Sequence, residues 1–307
     1  MYRLLIPCAL IATPALAADG PFTIAATGRH FATLQDAVRA VGGGTGTIVI
    51  APGTYRQCAV QQAGQVTYKA ATPGTVTFAG TLCEDKAALV LRGDGARVEG
   101  LIFRGYRNRD GNGAGIRSER GDLTIVDATF ADSQEGILGG LAAPQRITID
   151  RSTFTGLGQC DEAPNCSHAI YLGNQGSVRI IHSRFERGTG GHYVKIRAPR
   201  VTIADNSFDD TAGTGTNYMI DLSEGATGSI VRNVFVQGRA KENGSAMIVV
   251  AAEAQTYPSG GLVIEGNDAR LAPGATSHPT FVVDFSHSRL AIGANRLGTG
   301  VAAFALR

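Results

Sequence analysis

Ile203-Ala204-Asp205-Asn206-Ser207-Phe208 runs from apolar residues through a polar bend to a phenylalanine, and Ile230-Val231-Arg232-Asn233-Val234-Phe235 repeats it. Earlier copies are Val98-Glu99-Gly100-Leu101-Ile102-Phe103, Ile125-Val126-Asp127-Ala128-Thr129-Phe130, Ile147 to Phe154, and Ile180-Ile181-His182-Ser183-Arg184-Phe185. The Phe-to-Phe steps are 27, 24, 31, 23 and 27 residues. Two residues ahead of the Phe position stand Ser152, Ser183, Asn206 and Asn233, and Asn267 and Asn295 continue the series without the Phe. A side chain that hydrogen-bonds its own copy one coil away is what a stacked turn requires, and Asn also tolerates the left-handed backbone of tight bends. A period in the twenties with short strands predicts a parallel β-solenoid filled by stacked Phe and Ile. An antiparallel sandwich would not place Asn and Phe in register in every copy.

Composition agrees. Of 307 residues, 41 are Gly, none is Trp, and the formal net charge is +2. No Gly-x-y period supports collagen, apolar content argues against disorder, and no apolar run is long enough to span a membrane. With 28 Lys+Arg against 26 Asp+Glu, the chain lacks the basic excess of a nucleic-acid binder.

Met1-Tyr2-Arg3, an apolar stretch from Leu4, and Ala15-Leu16-Ala17 have the layout of a secretory signal peptide over residues 1–17, leaving one domain over 18–307. The expected location is periplasmic or secreted. Cys8 would leave with the signal, and four cysteines remain. Cys160 and Cys166 bracket a short loop suited to a local disulfide, with Cys58 and Cys83 paired by default, although spacing alone allows three connectivities. Zinc would need closer Cys/His pairs than these.

A solenoid end needs a cap. In Phe31 to Val41, Thr33 can N-cap a helix whose Leu34, Ala37, Val38 and Val41 form one apolar stripe, and Gly42-Gly43-Gly44 stops it. The cap is expected over about 25–45 and the coils over about 46–298. Phe31-Ala32-Thr33-Leu34-Gln35-Asp36-Ala37, followed by Ile48-Val49-Ile50-Ala51-Pro52-Gly53-Thr54-Tyr55, resembles the N-terminal cap and first coil of the pectate-lyase-like superfamily. The resemblance implies an all-β, single-stranded right-handed parallel β-helix with a short N-terminal capping helix. That superfamily holds lyases, hydrolases, epimerases, esterases and tail spikes, so it implies fold more than function.

If Ile116, Ile137, Ile170, Val194, Ile220 and Ile248 point inward, their successors form an outward column: Arg117, Leu138, Tyr171, Lys195, Asp221 and Val249. Glu119, Gly140, Gly173, Arg197, Ser223 and Ala251 lie beside it on the same face. Tyr171, Lys195 and Asp221 then occupy consecutive rungs about 4.8 Å apart, flanked by small residues that leave a groove. His168 and His192 occupy equivalent places one coil apart, following Ser167 and Gly191 as Tyr218 follows Asn217; strand parity puts them on the inner face at the bend, either as a hydrogen-bonded turn stack or with the bend re-aiming one ring into the groove. Glu224 and Glu253 flank the groove downstream. The Cys160–Cys166 loop is expected to wall it, with Asp161-Glu162 solvated, and a solvated Lys241-Glu242-Asn243 loop is expected opposite.

Without Trp the groove has no strong platform for neutral sugars, and its Tyr and basic groups suit an acidic one. The favoured reading is a polysaccharide lyase that cleaves a uronate-containing polymer by β-elimination. Lys195 is the first candidate base and His192 the alternative, with Tyr171 relaying the proton and Arg197 and Arg117 taking the carboxylate. Arg117, His168, Asp221 and Glu224 are candidate substrate-binding residues. Some β-helix lyases use Lys and Arg in such roles. The calcium-site aspartates and arginine motif of pectate lyases are absent, as are the polygalacturonase motifs, so pectin is not favoured. No cofactor or metal is expected, since calcium would find only Asp221 with Glu224. A hydrolase or C5-epimerase on the same face, or a non-catalytic polysaccharide-binding protein, are the alternatives, and a monomer is expected.

Overall fold

The computed structural model describes residues 20–140, 144–173 and 176–307. The expected signal peptide lies outside them. Three sheets of 12, 10 and 10 strands run the length of the molecule, each coil contributing one short parallel strand to each sheet, with the two strands of an antiparallel N-terminal hairpin added to the first. The first sheet opens on Thr45–Ile50, the second on Gly53–Tyr55, and the third on Ala59–Gln61. This is a parallel β-helix. The final strand, Ala302–Leu306, still pairs with Thr280–Asp284, so the coils extend past the expected end near 298.

The second sheet carries the phenylalanines in register. Phe103, Phe130, Phe154, Phe185, Phe208 and Phe235 stack face to face with centroids 5.2, 4.9, 4.8, 4.7 and 5.0 Å apart. Each contact adds roughly 0.5–1.5 kcal/mol beyond burial of the ring.

The Ser/Asn positions form the expected ladder inside the bend. Ser183 N–H donates to Asn206 Oδ1 at 2.9 Å, Asn206 N–H to Asn233 Oδ1 at 3.0 Å, and Asn233 N–H to Asn267 Oδ1 at 2.9 Å. The left-handed residue, however, is the one before each ladder position. Asp127, Arg151, His182, Asp205 and Arg232 have φ between 48° and 59°. That turn swings the following side chain into the solenoid, where it satisfies backbone groups of adjacent coils that water cannot reach.

The cap begins earlier than expected. A hairpin of Phe22–Ile24 and Arg29–Phe31 pairs antiparallel with Thr45–Ile50, and the helix Leu34–Val41 packs beside it. Thr33 Oγ1 accepts from Asp36 N–H at 3.1 Å, and Gly42 closes the helix by donating to Val38.

Replacing Asn233 by Ala removes a buried acceptor and two donated bonds and is expected to destabilise the fold by about 3 kcal/mol, against about 1 kcal/mol for Asn295→Ala at the partly exposed end of the ladder. Urea unfolding of the two variants compares them, and equal losses would show that the ladder does not carry the bend.

Candidate functional site

The third sheet sets the outward column. Leu138 pairs with Tyr171, Tyr171 with Lys195, Lys195 with Asp221 and Asp221 with Val249, while Ile137, Ile170, Val194, Ile220 and Ile248 are buried inside. Tyr171, Lys195 and Asp221 are therefore consecutive on one face. Arg117 belongs to the same column three rungs before Lys195, roughly 14 Å away, and is not part of the charged cluster.

His168 and His192 lie on the outer face, against the expectation from strand parity. At this corner two consecutive residues point inward: Ala169 with Ile170, Tyr193 with Val194, and Met219 with Ile220 are all buried in the core. The alternation slips by one, and the residue before each pair returns to the outside. His168 stacks on His192 at 4.8 Å and His192 on Tyr218 at 5.3 Å, forming a second outward column. Glu135 pairs with Ala114 at the equivalent place one coil earlier. Glu135 was not expected at the site, although it precedes the inward pair just as the histidines and Tyr218 do.

The cluster is dense in charge. Lys195 Nζ donates to Glu253 and lies 3.7 Å from Asp221 Oδ2. Arg197 is held between Glu253 and Glu224, with Nε 3.1 Å from Glu224 Oε1. The Tyr171 ring lies beside both cations, 5.6 Å from Lys195 Nζ and 5.1 Å from the Arg197 guanidinium carbon. His192 Nε2 stands 3.5 Å from Asp221 Oδ2, which also accepts from Ser223 Oγ at 2.8 Å. Glu224 is thus taken up by Arg197, and Glu253 is the residue that ties the two cations together.

Burial divides the titrating groups. It pushes Asp221 up to about 6, against the opposing pull of Lys195. Burial, reinforced by Lys195, pushes His192 down to about 3, so its imidazole is neutral at ordinary pH. His168 is likewise depressed by burial and by its neighbours His192 and Lys195, and its Nδ1 accepts from the His192 N–H at 3.0 Å. Burial would raise Glu253, but hydrogen bonds from Lys195 and Arg197 outweigh it and hold the carboxyl below its usual range. Asp221 Oδ1 and His192 Nδ1 are buried without hydrogen-bond partners.

The walls differ in part from expectation. Both disulfides form, Cys58–Cys83 and Cys160–Cys166. The Cys160–Cys166 loop does border the groove, and Asp161 and Glu162 are exposed as expected, Glu162 being pinned to Arg107 and accepting from Gln134 at 2.7 Å. Lys241, expected in solvent, is buried. Its Nζ lies 3.4 Å from Asp210 Oδ2 and donates to the Asn217 carbonyl, while Tyr193 and Thr216 hydroxyls donate to the same aspartate. Among the described residues no three His, Cys, Asp or Glu side chains group as metal ligands, and no helix is long and apolar enough to cross a membrane.

Residues 87–270, more than half of the chain, match the profile described as a right handed beta helix region. The chain belongs to the right-handed β-helix family. No curated protein sequence matches it. Among solved structures, this β-helix is similar to a PL6 family alginate lyase, AlyGC, at 14% identity and a TM-score of 0.49 over 90% of this chain. The match covers 39% of that lyase, so the chain spans about two fifths of its length. The Aspergillus niger pectin methylesterase is similar at 14% identity and a TM-score of 0.45, covering 90% of this chain and 85% of the esterase. The Streptococcus pneumoniae surface protein and adhesin PfbA is similar at 14% identity and 0.40, covering 89% and 94%. At such identities the likeness concerns the fold.

Asp221→Asn is expected to raise the thermal midpoint at pH 7 by about 2–4 °C, equivalent to roughly 1 kcal/mol in a domain of this size, because it removes a buried carboxylate whose Oδ1 has no partner. The gain is expected to shrink at pH 5, where Asp221 is already protonated. A lower midpoint for the variant at pH 7 would mean that the carboxylate is structural.

Proposed function

We propose that the protein is a polysaccharide lyase that cleaves an acidic, uronate-containing chain by β-elimination. The observation that carries this reading is the meeting, on one outward face, of a neutral imidazole, a phenol between two cations, and a buried carboxylate poised near neutral pH. Elimination needs three things: neutralisation of the substrate carboxylate, removal of the C5 proton, and protonation of the leaving oxygen.

Arg197 and Lys195 supply positive charge where the substrate carboxylate would lie, and a guanidinium receives a carboxylate through two parallel hydrogen bonds. Lys195 is engaged by Glu253 and Asp221, so the role of base passes to His192, whose Nε2 faces the column. His192 takes the C5 proton, and the C5–H electron pair becomes the C4–C5 double bond. The C4–O bond breaks with its pair on oxygen, which takes a proton from Tyr171. Asp221, ionised, stabilises the imidazolium that forms.

A second reading has its own support. Asp221 is raised while Glu253 is lowered, and such a divergence suits the acid and the nucleophile or base of a glycoside hydrolase. The two disulfides suit an oxidising location, periplasmic or secreted.

Incubation with alginate, glucuronan, glycosaminoglycans and bacterial exopolysaccharides tests the reading. At least one polymer is expected to yield unsaturated products, read by the ultraviolet absorbance of the new conjugated double bond. Tyr171→Phe, Lys195→Ala and His192→Ala are each expected to lower the rate by about 10²–10⁴-fold. The rate should rise with pH through about 6 as Asp221 ionises, and Asp221→Asn should lose that limb. New reducing ends without absorbance would favour hydrolysis, and binding without turnover would leave a binding protein.

A further inference from the structure

N-terminal to the charged cluster, the groove deepens into a cleft of about 430 Å³, within the range of small-ligand sites. Its walls are the end of the disulfide loop at Asn165 and Cys166 on one side and Tyr171 on the other, with Gly139, Gly140 and Gly173 along the floor. Two polar groups at its edge are unsatisfied. Glu135 is 3% exposed, and its Oε2 is buried with no hydrogen-bond partner. Arg117 Nε is also buried without a hydrogen bond, its nearest carboxylate oxygen being Glu119 Oε1 at 3.8 Å. The Glu135 carboxyl takes the His168 backbone N–H, but its buried Oε2, like the nearby Arg117 Nε, has no hydrogen-bond partner, which is unfavourable, and a ligand supplying a partner to each would relieve both.

The floor points the same way. A Cβ added at Gly140 would meet nothing within 4 Å, and its backbone is not in the left-handed region. Neither packing nor conformation requires glycine there, and what a side chain would occupy is the cleft.

We propose that this cleft is a subsite for one acidic sugar residue, with Arg117 receiving its carboxylate and the free Glu135 oxygen hydrogen-bonding the same residue. The proposal rests on the reading above only in taking the polymer to be a polyuronate. Tyr171 lines the cleft and also touches Lys195 and Arg197, so a sugar seated here is continuous with the charged column. Burial raises Glu135 well above the ordinary carboxylate value even with Arg117 pulling the other way, so its neutral amide analogue can stand in for it.

Calorimetry on the His192→Ala protein, with short oligomers of mannuronate, guluronate, glucuronate and galacturonate and with neutral cellotetraose, tests the subsite. At least one acidic oligomer is expected to bind, and cellotetraose at least about tenfold more weakly. Added to that background, Arg117→Ala and Gly140→Leu should each weaken the acidic oligomer by about tenfold or more, whereas Glu135→Gln should stay within about threefold. Thermal unfolding checks that each variant is folded. Binding undiminished by a folded Gly140→Leu, cellotetraose binding as tightly as the acids, or no acidic oligomer binding at all would overturn the subsite. If the acids bind as expected but unsaturated products never form, the elimination chemistry fails and the subsite stands. Cleavage by the wild type, with Gly140→Leu without effect on affinity, gives the reverse.

Discussion

Parallel pairing in register is the constraint on which everything else depends. Each strand of the third sheet hydrogen-bonds the strand one coil away with no slip, so a side chain's position along the axis is its rung number multiplied by about 4.8 Å. The interior enforces that register twice over. Stacked phenylalanines in one sheet and the Ser/Asn ladder at the adjoining bend both lose their contacts if a coil shifts by one residue. Loops of unequal length project from this frame without disturbing it, as the uneven repeat spacing requires. The outward columns are then consequences: residues separated by more than twenty positions in the chain become neighbours about one strand spacing apart.

Elsewhere on the surface opposite charges pair near the solvent, as Arg146 does with Asp122 and Arg232 with Asp205, where they contribute little. The rungs of Lys195 and Asp221 differ because His192, Tyr171 and Tyr218 shield them from water. Burial there acts oppositely on the acid and the imidazole. Asp221 has a folded value of about 6 against an ordinary 3.8, so it favours the folded state most at low pH, and that contribution is lost as pH rises through about 6. His192, at about 3 against 6.5, works the other way: its contribution is present above 6.5 and lost as pH falls toward 3. Neither pH extreme relaxes both groups. Such an arrangement lowers stability, and at neutral pH it keeps the imidazole neutral beside a largely ionised carboxylate.

The architecture was legible because the repeat writes the same physical demand into every coil: one ring for the core and one amide for the bend. The column Tyr171, Lys195, Asp221 was legible for the same reason, once Ile170, Val194 and Ile220 were taken as inward. The corner was not. Strand alternation holds only while the chain is extended, and the paired inward residues Ala169-Ile170 and Tyr193-Val194 break it, which is why the histidines face outward and why Glu135 joins them. The left-handed residue at this bend follows from the same geometry, and its identities (Asp127, Arg151, His182, Asp205, Arg232) share no chemistry that a pattern could detect. Lys241 was illegible for a different reason. Its burial depends on Asp210 and Thr216 from one coil and Tyr193 from the coil before it, and a lone lysine beside a glutamate reads as solvated in any sequence.

Tyr171 joins the two halves of the face. On its C-terminal side lie the cations and carboxylates, tightly paired with one another; on its N-terminal side lies a cleft edged by two buried atoms without a hydrogen bond, Arg117 Nε and Glu135 Oε2. The contrast bears on how an anionic chain could be held. Arg197 and Lys195 can receive a substrate carboxylate only by loosening Glu253, an exchange of one carboxylate for another with little net gain in electrostatic energy. Arg117 has no hydrogen bond from Nε to give up and stands where Gly140 leaves room. Affinity for an acidic polymer is therefore better drawn from the cleft than from the charged column. In the proposed elimination, that division would leave Lys195, Arg197 and Glu253 to act on charge that develops during reaction, where a preorganised ion pair has its largest effect on rate.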